Sequence, residues 1–586
     1  MASPTQTDLR WDLETFFPSI TDSTYLEAVE QVPANLNGLE QLLNSLDSNC
    51  TADQLRDLLD KFESAIRKDH LVQSYTSLTL STDANNEDAQ KAFGTLRPYS
   101  TQLSKIFNKY AALIGSLSPT LWQNDPRFAD DRFPLDRLHL SAKHLLSPDL
   151  ETQAADLAEY GSGAWEKLYD DYSSNISVQF NGEPTPISAI RGLAYSTDAA
   201  TRAQAFTEEL KAWKAHEIPI TAAMNAIKGE ASYNAKARDW PEQLDITLFR
   251  SNMDHATLEA MLGAARDAFP DFRRYFKAKA KLLGHKNGLP FYDLFAPVGT
   301  AGAWTWQQSE DFVEEGFRSF SDKLADFARH SFNNRWHDVY PRKGKRDGAF
   351  CASVTPGVSR MLYNFKESFN GASTLAHELG HAYHNLCLKD RHYLQSRTPM
   401  TLAETASIFC ETIIKRRALS TCTADEKLSI LEATLQGSSQ VVVDITSRYL
   451  FETEVIERRK QRDLTADELC DIMRRAQLET YGDGLDPDFL HPYMWAAKPH
   501  YYSDRAFYNF PYMFGLLFAL GLYKVYQDNP EGFQERYDNL LSRTGMAMAA
   551  DLTAEFGIDI TQKAFWKGSL DVLVEDVNEF CDLVNA

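Results

Sequence analysis

The stretch STLAHELGHAYHNL, Ser373 to Leu386, sets two histidines and a glutamate inside an otherwise apolar helical pattern, and the rest of the chain is read outward from it. At 3.6 residues per turn, His377 and His381 lie one turn apart on one face, so two imidazoles can converge on a single point. Glu378 is swung about 100° round the axis and reaches beside that point without having to be a ligand. The spacing is H-E-x-x-H, in which the histidines bind zinc and the glutamate handles protons. Chance alone yields it in on the order of a few per cent of chains this long. A third ligand and a substrate site are therefore needed before it counts as chemistry.

Composition narrows the partners. The 586-residue chain carries a formal net charge of −22, which argues against nucleic acid or an anionic membrane surface, because both demand cationic patches. The N-terminal MASPTQTDLRWDLE has no cationic stretch followed by an apolar one, so no secretory signal is expected. The apolar run Phe510 to Tyr523 is short for a bilayer and contains Pro511, Gly515 and Gly521; it reads as a buried helix. The seven cysteines are scattered and form no C-x-x-C pair, which fits a reducing compartment. A cytoplasmic protein, monomeric rather than oligomeric, is the expectation.

Helical periodicity dominates. TADQLRDLLDKFESAIRK opens with a capping box, Thr51 and Gln54, and then lays Leu55, Leu58, Leu59, Phe62 and Ile66 on one stripe. The same grammar recurs at Thr423 with Glu426 and at Thr465 with Glu468, and Ser147 with Pro148 starts another helix. Strand signals are few. ISVQFNGEPTPIS predicts a hairpin turning at Asn181 and Gly182, and GAFCASV and SRMLYNFKES, just upstream of the motif, predict two more strands. The fold class is mainly α with a small sheet beside the motif helix, divided near residue 195 into a helical N-terminal domain (1–195) and a larger catalytic domain (196–586).

The third ligand lies downstream. A metzincin would need glycine at 384 and histidine at 387, where this chain has His384 and Cys387. TPMTLAETASIFCETIIKRRA predicts one amphipathic helix with Glu404, Ile408 and Glu411 on a single face. A carboxylate on an apolar face is costly to bury unless something positive receives it, which makes Glu404 the candidate third ligand. Thermolysin-type enzymes follow this glutamate with an aspartate four residues on, a position held here by Ile408. Glu411 is placed to orient a ligand histidine.

HELGHAYH followed by LAETASIFCE resembles the thimet oligopeptidase and oligoendopeptidase F family of zinc peptidases. The likeness is closer to the oligoendopeptidase F branch and runs from RWDLETFFPS through GAFC to PHYYSDRAFYNFPY. The resemblance implies an elongated helical zincin with a deep substrate channel and one zinc per chain, cutting internal bonds of short unstructured peptides. It also implies that His500, Tyr508 and Tyr512 bind substrate and stabilise the tetrahedral intermediate, in a segment that also holds Tyr501 and Tyr502 as candidate substrate contacts. Relatives often place a tyrosine where this chain has Phe510.

Two histidines and one glutamate leave a fourth zinc position for water, and Glu378 beside it is the candidate general base acting on the zinc-bound water. A peptide of any sequence can be gripped through backbone hydrogen bonds to a strand edge. Gly348 and Ala349, small and next to the upstream strand, are the candidate substrate contacts there. The rivals are a helical zinc carboxypeptidase, which needs a cationic site for the terminal carboxylate, and a zinc-stabilised peptide-binding protein. A base beside an open metal position speaks against the latter.

Overall fold

The computed structural model describes residues 9–299 and 302–585. Helices dominate it, and the strands are few and short: β1 (Ser177–Phe180), β2 (Glu183–Pro186), β3 (His337–Asp338), β4 (Phe350–Thr355) and β5 (Val358–Leu362). The expected mainly helical class holds. Among the described residues no helix is long and apolar enough to cross a membrane, and Phe510 to Tyr523 lies in a largely buried helix, Phe510–Asp528.

The contacts divide the chain into two interleaved units rather than at residue 195. Unit 1 takes the described residues of Met1–Leu145, Gly302–Ser420 and Tyr526–Phe556, and unit 2 those of Leu146–Ala301, Thr421–Val525 and Gly557–Ala586. Residue 195 falls inside the first segment of unit 2. The expected boundary is corrected for a physical reason: each unit closes its core with segments far apart in sequence, which a composition change along the chain cannot signal.

In unit 1 the N-terminal helices Ser23–Asn44, Ala52–Thr82 and Glu87–Ser116 build one core. The capping box at Thr51 is present in both directions, with the Thr51 N–H donating to Gln54 Oε1 at 2.9 Å and the Gln54 N–H to Thr51 Oγ1 at 3.3 Å. The predicted stripe Leu55, Leu58, Leu59, Phe62 and Ile66 is buried throughout. Each such side chain contributes roughly 1.5–3 kcal/mol of transfer free energy. Phe62 also stacks on Tyr110 at 4.6 Å between centroids.

The sheet of unit 1 has the order β3-β5-β4, with β3 parallel and β4 antiparallel to β5, so β4 is an edge strand. The two strands expected upstream of the motif are β4 and β5; β3 is too short to leave a sequence signal. The motif helix, Phe369–Cys387, packs across both. It starts where Ser368 accepts the Gly371 N–H at 3.2 Å, an N-cap that releases the chain from the sheet into the helix.

Unit 2 contains the long helices Ala199–Ala237, His255–Leu282 and Lys563–Asn585. Its hairpin β1–β2 turns at Asn181 (φ 53°) and Gly182 (φ 87°), the two positive φ values that a two-residue type I′ loop demands. The capping boxes at Thr423 and Thr465 are both formed. Ser147 stands at the N-cap position expected of it, but its side chain makes no capping hydrogen bond.

Candidate active site

The helix Phe369–Cys387 presents His377 and His381 side by side, their Nε2 atoms 3.1 Å apart. Glu404 completes the group from a separate element. The region read from sequence as one amphipathic helix is two, Met400–Ala403 and Thr405–Thr421, and Glu404 sits at the break between them with φ −92° and ψ 4°. The break frees its carboxylate from the helix face and turns it to the histidines: Glu404 Oε2 lies 3.4 Å from His377 Nε2 and 3.3 Å from His381 Nε2. The Ser407 hydroxyl donates to the same oxygen at 2.7 Å and fixes its rotamer.

These three atoms form a nearly equilateral triangle of 3.1, 3.3 and 3.4 Å edges. Ligands about 2.0–2.1 Å from a tetrahedral ion stand about 3.3–3.4 Å from one another. The donor set thus fits a divalent cation of zinc's size, and His377, His381 and Glu404 are the one group of this kind among the described residues.

Surrounding charge points the same way. Glu411 Oε1 accepts from His377 Nδ1 at 2.5 Å, so the ring presents Nε2 to the common point and cannot flip. Burial works against charge on His377, but the Glu411 hydrogen bond and the neighbouring carboxylates outweigh it and push its pKa up to about 9. Burial likewise opposes the Glu404 carboxylate, yet hydrogen bonding and charge from His381 and His377 hold it down at about 2. Three carboxylates around two imidazoles make a pocket that favours a cation.

Glu378 is 5% exposed, and its Oε2 is buried with no hydrogen-bond partner. Burial raises its pKa, with the two imidazoles opposing. An unpartnered buried carboxylate is costly, and a base with a raised pKa is what proton transfer near neutral pH requires. His384, which excludes the metzincin pattern, faces Thr544 Oγ1 at 2.9 Å and is kept neutral, its pKa pushed down to about 4, chiefly by burial.

A cavity of about 690 Å³ opens over this group, walled by Ala349, Cys351 and Ser353 along the β4 side and by His377, Glu378 and Glu404. Ala349 thus lines the same cavity as His377, Glu378 and Glu404. Gly348 holds a φ of 84°, which favours glycine, and a Cβ there would meet none of the chain's own atoms within 4 Å.

In unit 2, His500, Tyr508 and Tyr512 come together: the His500 and Tyr508 rings lie 6.4 Å apart and the two tyrosine hydroxyls 3.0 Å apart. Burial pushes the His500 pKa down to about 2, so the ring is neutral. Phe507, just before Tyr508, holds a left-handed φ of 56° with its N–H on Glu452 Oε2 at 3.0 Å, and Glu452 is in turn paired to buried Lys228 at 2.7 Å. A bulky residue in that region is strained and persists only where its surroundings impose it. Tyr501 and Tyr502 do not behave as expected. Both are buried: Tyr502 stacks on Tyr169 at 3.7 Å and donates to the Trp495 carbonyl at 3.1 Å, while Tyr501 packs on Phe451. Their place is the core of unit 2, a correction that the alternating aromatic pattern could not reveal.

One residue the sequence reading passed over is Gly380, inside HELGH. A Cβ there would stand 2.5 Å from both Ala406 O and Ser407 Cα, so glycine lets the motif helix touch the backbone just after Glu404. The available signal was a glycine in mid-helix, which costs about 1 kcal/mol relative to alanine and calls for a packing reason.

Comparison with known proteins agrees with this geometry. The sequence model of Peptidase family M3 matches residues 305–572, and that of Oligopeptidase F matches residues 120–177. An oligoendopeptidase F homolog of Borreliella burgdorferi is 24% identical over 96% of each chain. The group B oligopeptidase PepB of Streptococcus agalactiae is 23% identical over 98% of this chain and 97% of its own. The crystal structure of oligoendopeptidase-F from Enterococcus faecium shares the fold, with a TM-score of 0.66 and 19% identity over 98% of both chains. With its motif helix inside the M3 match and the oligopeptidase F match preceding it, the chain belongs to the M3 peptidase family, on the oligoendopeptidase F side, and is a metalloendopeptidase.

Proposed function

We propose that the protein is a zinc-dependent endopeptidase that cuts internal bonds of short, unstructured peptides. The observation that carries this reading is the triangle of His377 Nε2, His381 Nε2 and Glu404 Oε2 beside the unpartnered carboxylate of Glu378. Zinc held by these three residues supplies Lewis acidity, polarising the scissile carbonyl and lowering the pKa of the attacking water.

The chain's own side chains do the rest. Glu378 takes the proton of the attacking water and returns it to the departing amine. Glu411 holds His377 by Nδ1, and Ser407 holds Glu404, so the ligands keep their aim through the cycle. Ala349 and the adjoining edge of β4 grip the substrate backbone, a mode of binding that does not depend on side-chain sequence. His500, Tyr508 and Tyr512 are assigned by resemblance to donate hydrogen bonds to the developing oxyanion, each such donor being worth about 10²–10³ in rate. The net charge of −22 supports peptides rather than nucleic acid as partners. We place the activity in the cytoplasm and in a monomer.

The test is digestion of a mixed peptide pool by purified protein, with and without chelator, followed by mass mapping of the cut bonds. Internal cleavage that stops with chelator and returns with zinc is the expected result. Equal cutting of peptides with free and amidated C-termini distinguishes an endopeptidase from a carboxypeptidase; cutting that needs the free terminus overturns the reading.

A further inference from the structure

Along the edge strand β4 lie two cavities, the one over the metal-site group and a second one beside it. Met361 and Tyr363 direct their N–H groups toward the β3 side, onto the Trp336 carbonyl at 2.9 Å and the Asp338 carbonyl at 2.8 Å. Arg360 and Leu362 therefore face β4. Since hydrogen-bonded pairs alternate along an antiparallel ladder, the pairs Phe350–Leu362 and Ala352–Arg360 carry it, and Cys351 and Ser353 turn their backbone groups outward. His70 Nε2 meets the outward Ser353 carbonyl at 3.0 Å, which fixes this direction and ends the free edge there.

Side chains alternate as well. Cys351 and Ser353 line the metal-site cavity, Ala352 packs on the opposite face with Trp11 and Leu78, and Phe350, which packs with the same pair, borders the cavities on both sides. On that opposite face lies a second cavity, of about 560 Å³, walled by His70, Leu78, Phe93, Leu96, Arg97 and Phe350. Phe93 is 52% exposed there, an aromatic ring on the rim of a hollow in which Leu78, Leu96 and Phe350 alternate with Ser74, Ser77 and Ser100. None of the lining residues is acidic, in a chain with 82 acidic and 60 basic side chains, and Arg97 is cationic.

We propose that this second cavity is a specificity subsite. A peptide added to the free edge of β4 sends every other side chain toward Phe350 and Ala352, and the cavity receives a large apolar one, aromatic by preference. Arg97 and the absence of a carboxylate disfavour lysine or arginine at that position. The inference rests on the peptidase reading and deepens it: the metal centre cuts, and the far face of β4 selects.

The experiment measures kcat/KM on peptide sets varied one position at a time, for wild type, Phe93→Ala, Ser77→Trp and Arg97→Glu. Wild type should favour phenylalanine over alanine at one position, or at two positions of the same parity, by about tenfold or more. Phe93→Ala and Ser77→Trp, the second of which fills the cavity from the helix wall, should each erase about a factor of ten of that ratio and leave the adjacent positions unchanged. Arg97→Glu should raise the lysine-to-phenylalanine ratio at the same position. Zinc content and thermal midpoint serve as fold controls, and Phe93, half in solvent, tolerates truncation. A wild type that cuts no peptide overturns the peptidase reading. A wild type that cuts with a selectivity unmoved by all three substitutions, or moved equally at adjacent positions, overturns the role of the cavity alone.

Discussion

Gly380→Ala tests how closely the two ligand-bearing elements must approach. The added Cβ would lie 2.5 Å from Ala406 O and Ser407 Cα and 2.8 Å from Ala406 C, all backbone atoms that cannot rotate aside. Ordinary contact begins near 3.4 Å, so the motif helix and the segment after Glu404 must separate by about 0.9 Å, an overpacking that costs about 1–3 kcal/mol. Glu404 moves with that segment. Its Oε2 now stands 3.3 and 3.4 Å from the two Nε2 atoms, and a shift of about 0.9 Å on a bond of about 2.0 Å removes it as a ligand. Zinc affinity should therefore fall by more than the roughly 10–100-fold that loss of an outer partner costs. Helix propensity acts in the opposite direction, favouring alanine by about 1 kcal/mol. Gly38→Ala is the internal control: the same change in a helix of the same unit, at a site with nothing within 4 Å, should be neutral or stabilising. The assays are competitive zinc titration against a chromophoric chelator and thermal unfolding of the apo protein. If Gly380→Ala binds zinc as tightly as wild type and gains stability like Gly38→Ala, the close approach is not what positions Glu404.

The remaining expectations are more direct. Glu378→Gln should keep full zinc content and lose about 10²–10⁴ in kcat, and retained cleavage would remove Glu378 from proton transfer. Glu411→Ala frees His377 Nδ1 and should weaken zinc binding about 10–100-fold, with activity recovered at high zinc; unchanged affinity would show that the 2.5 Å hydrogen bond is not needed to aim the ring. Burial, with Arg360 nearby, pushes the His337 pKa down to about 3, its ring facing Ser331 and Tyr363. The unfolded chain takes up this proton near pH 6.5 and the folded one only near 3, so stability is fully present above about 6.5 and lost as pH falls toward 3, by up to roughly 4–5 kcal/mol. His337→Gln should flatten the acid limb of the unfolding midpoint against pH, and an acid limb as steep as wild type's would contradict it.

The group that could hold a metal was legible because helical spacing alone converges His377 and His381, and because a carboxylate on the apolar face downstream needs a cation. Glu411 followed from the same periodicity. The break at Glu404 was not legible: TLAETASIF has no proline or glycine to mark it, and the segment just after it meets Gly380, a residue distant in sequence. Tyr501 and Tyr502 were misread because a run of aromatic residues looks the same whether it lines a site or fills a core; the partners Tyr169, Trp495 and Phe451 lie far off in sequence.

What the sequence determined by itself is everything set by short-range geometry: the capped helices, the Asn181–Gly182 turn, the paired imidazoles and the glutamate beside them. Tertiary structure decided what depends on distant segments meeting. The interleaving of the two units, the third ligand's aim and the second face of β4 all arise from contacts across hundreds of residues. Local propensity carries no information about such contacts, because their free energy comes from surfaces that exist only after the chain has folded.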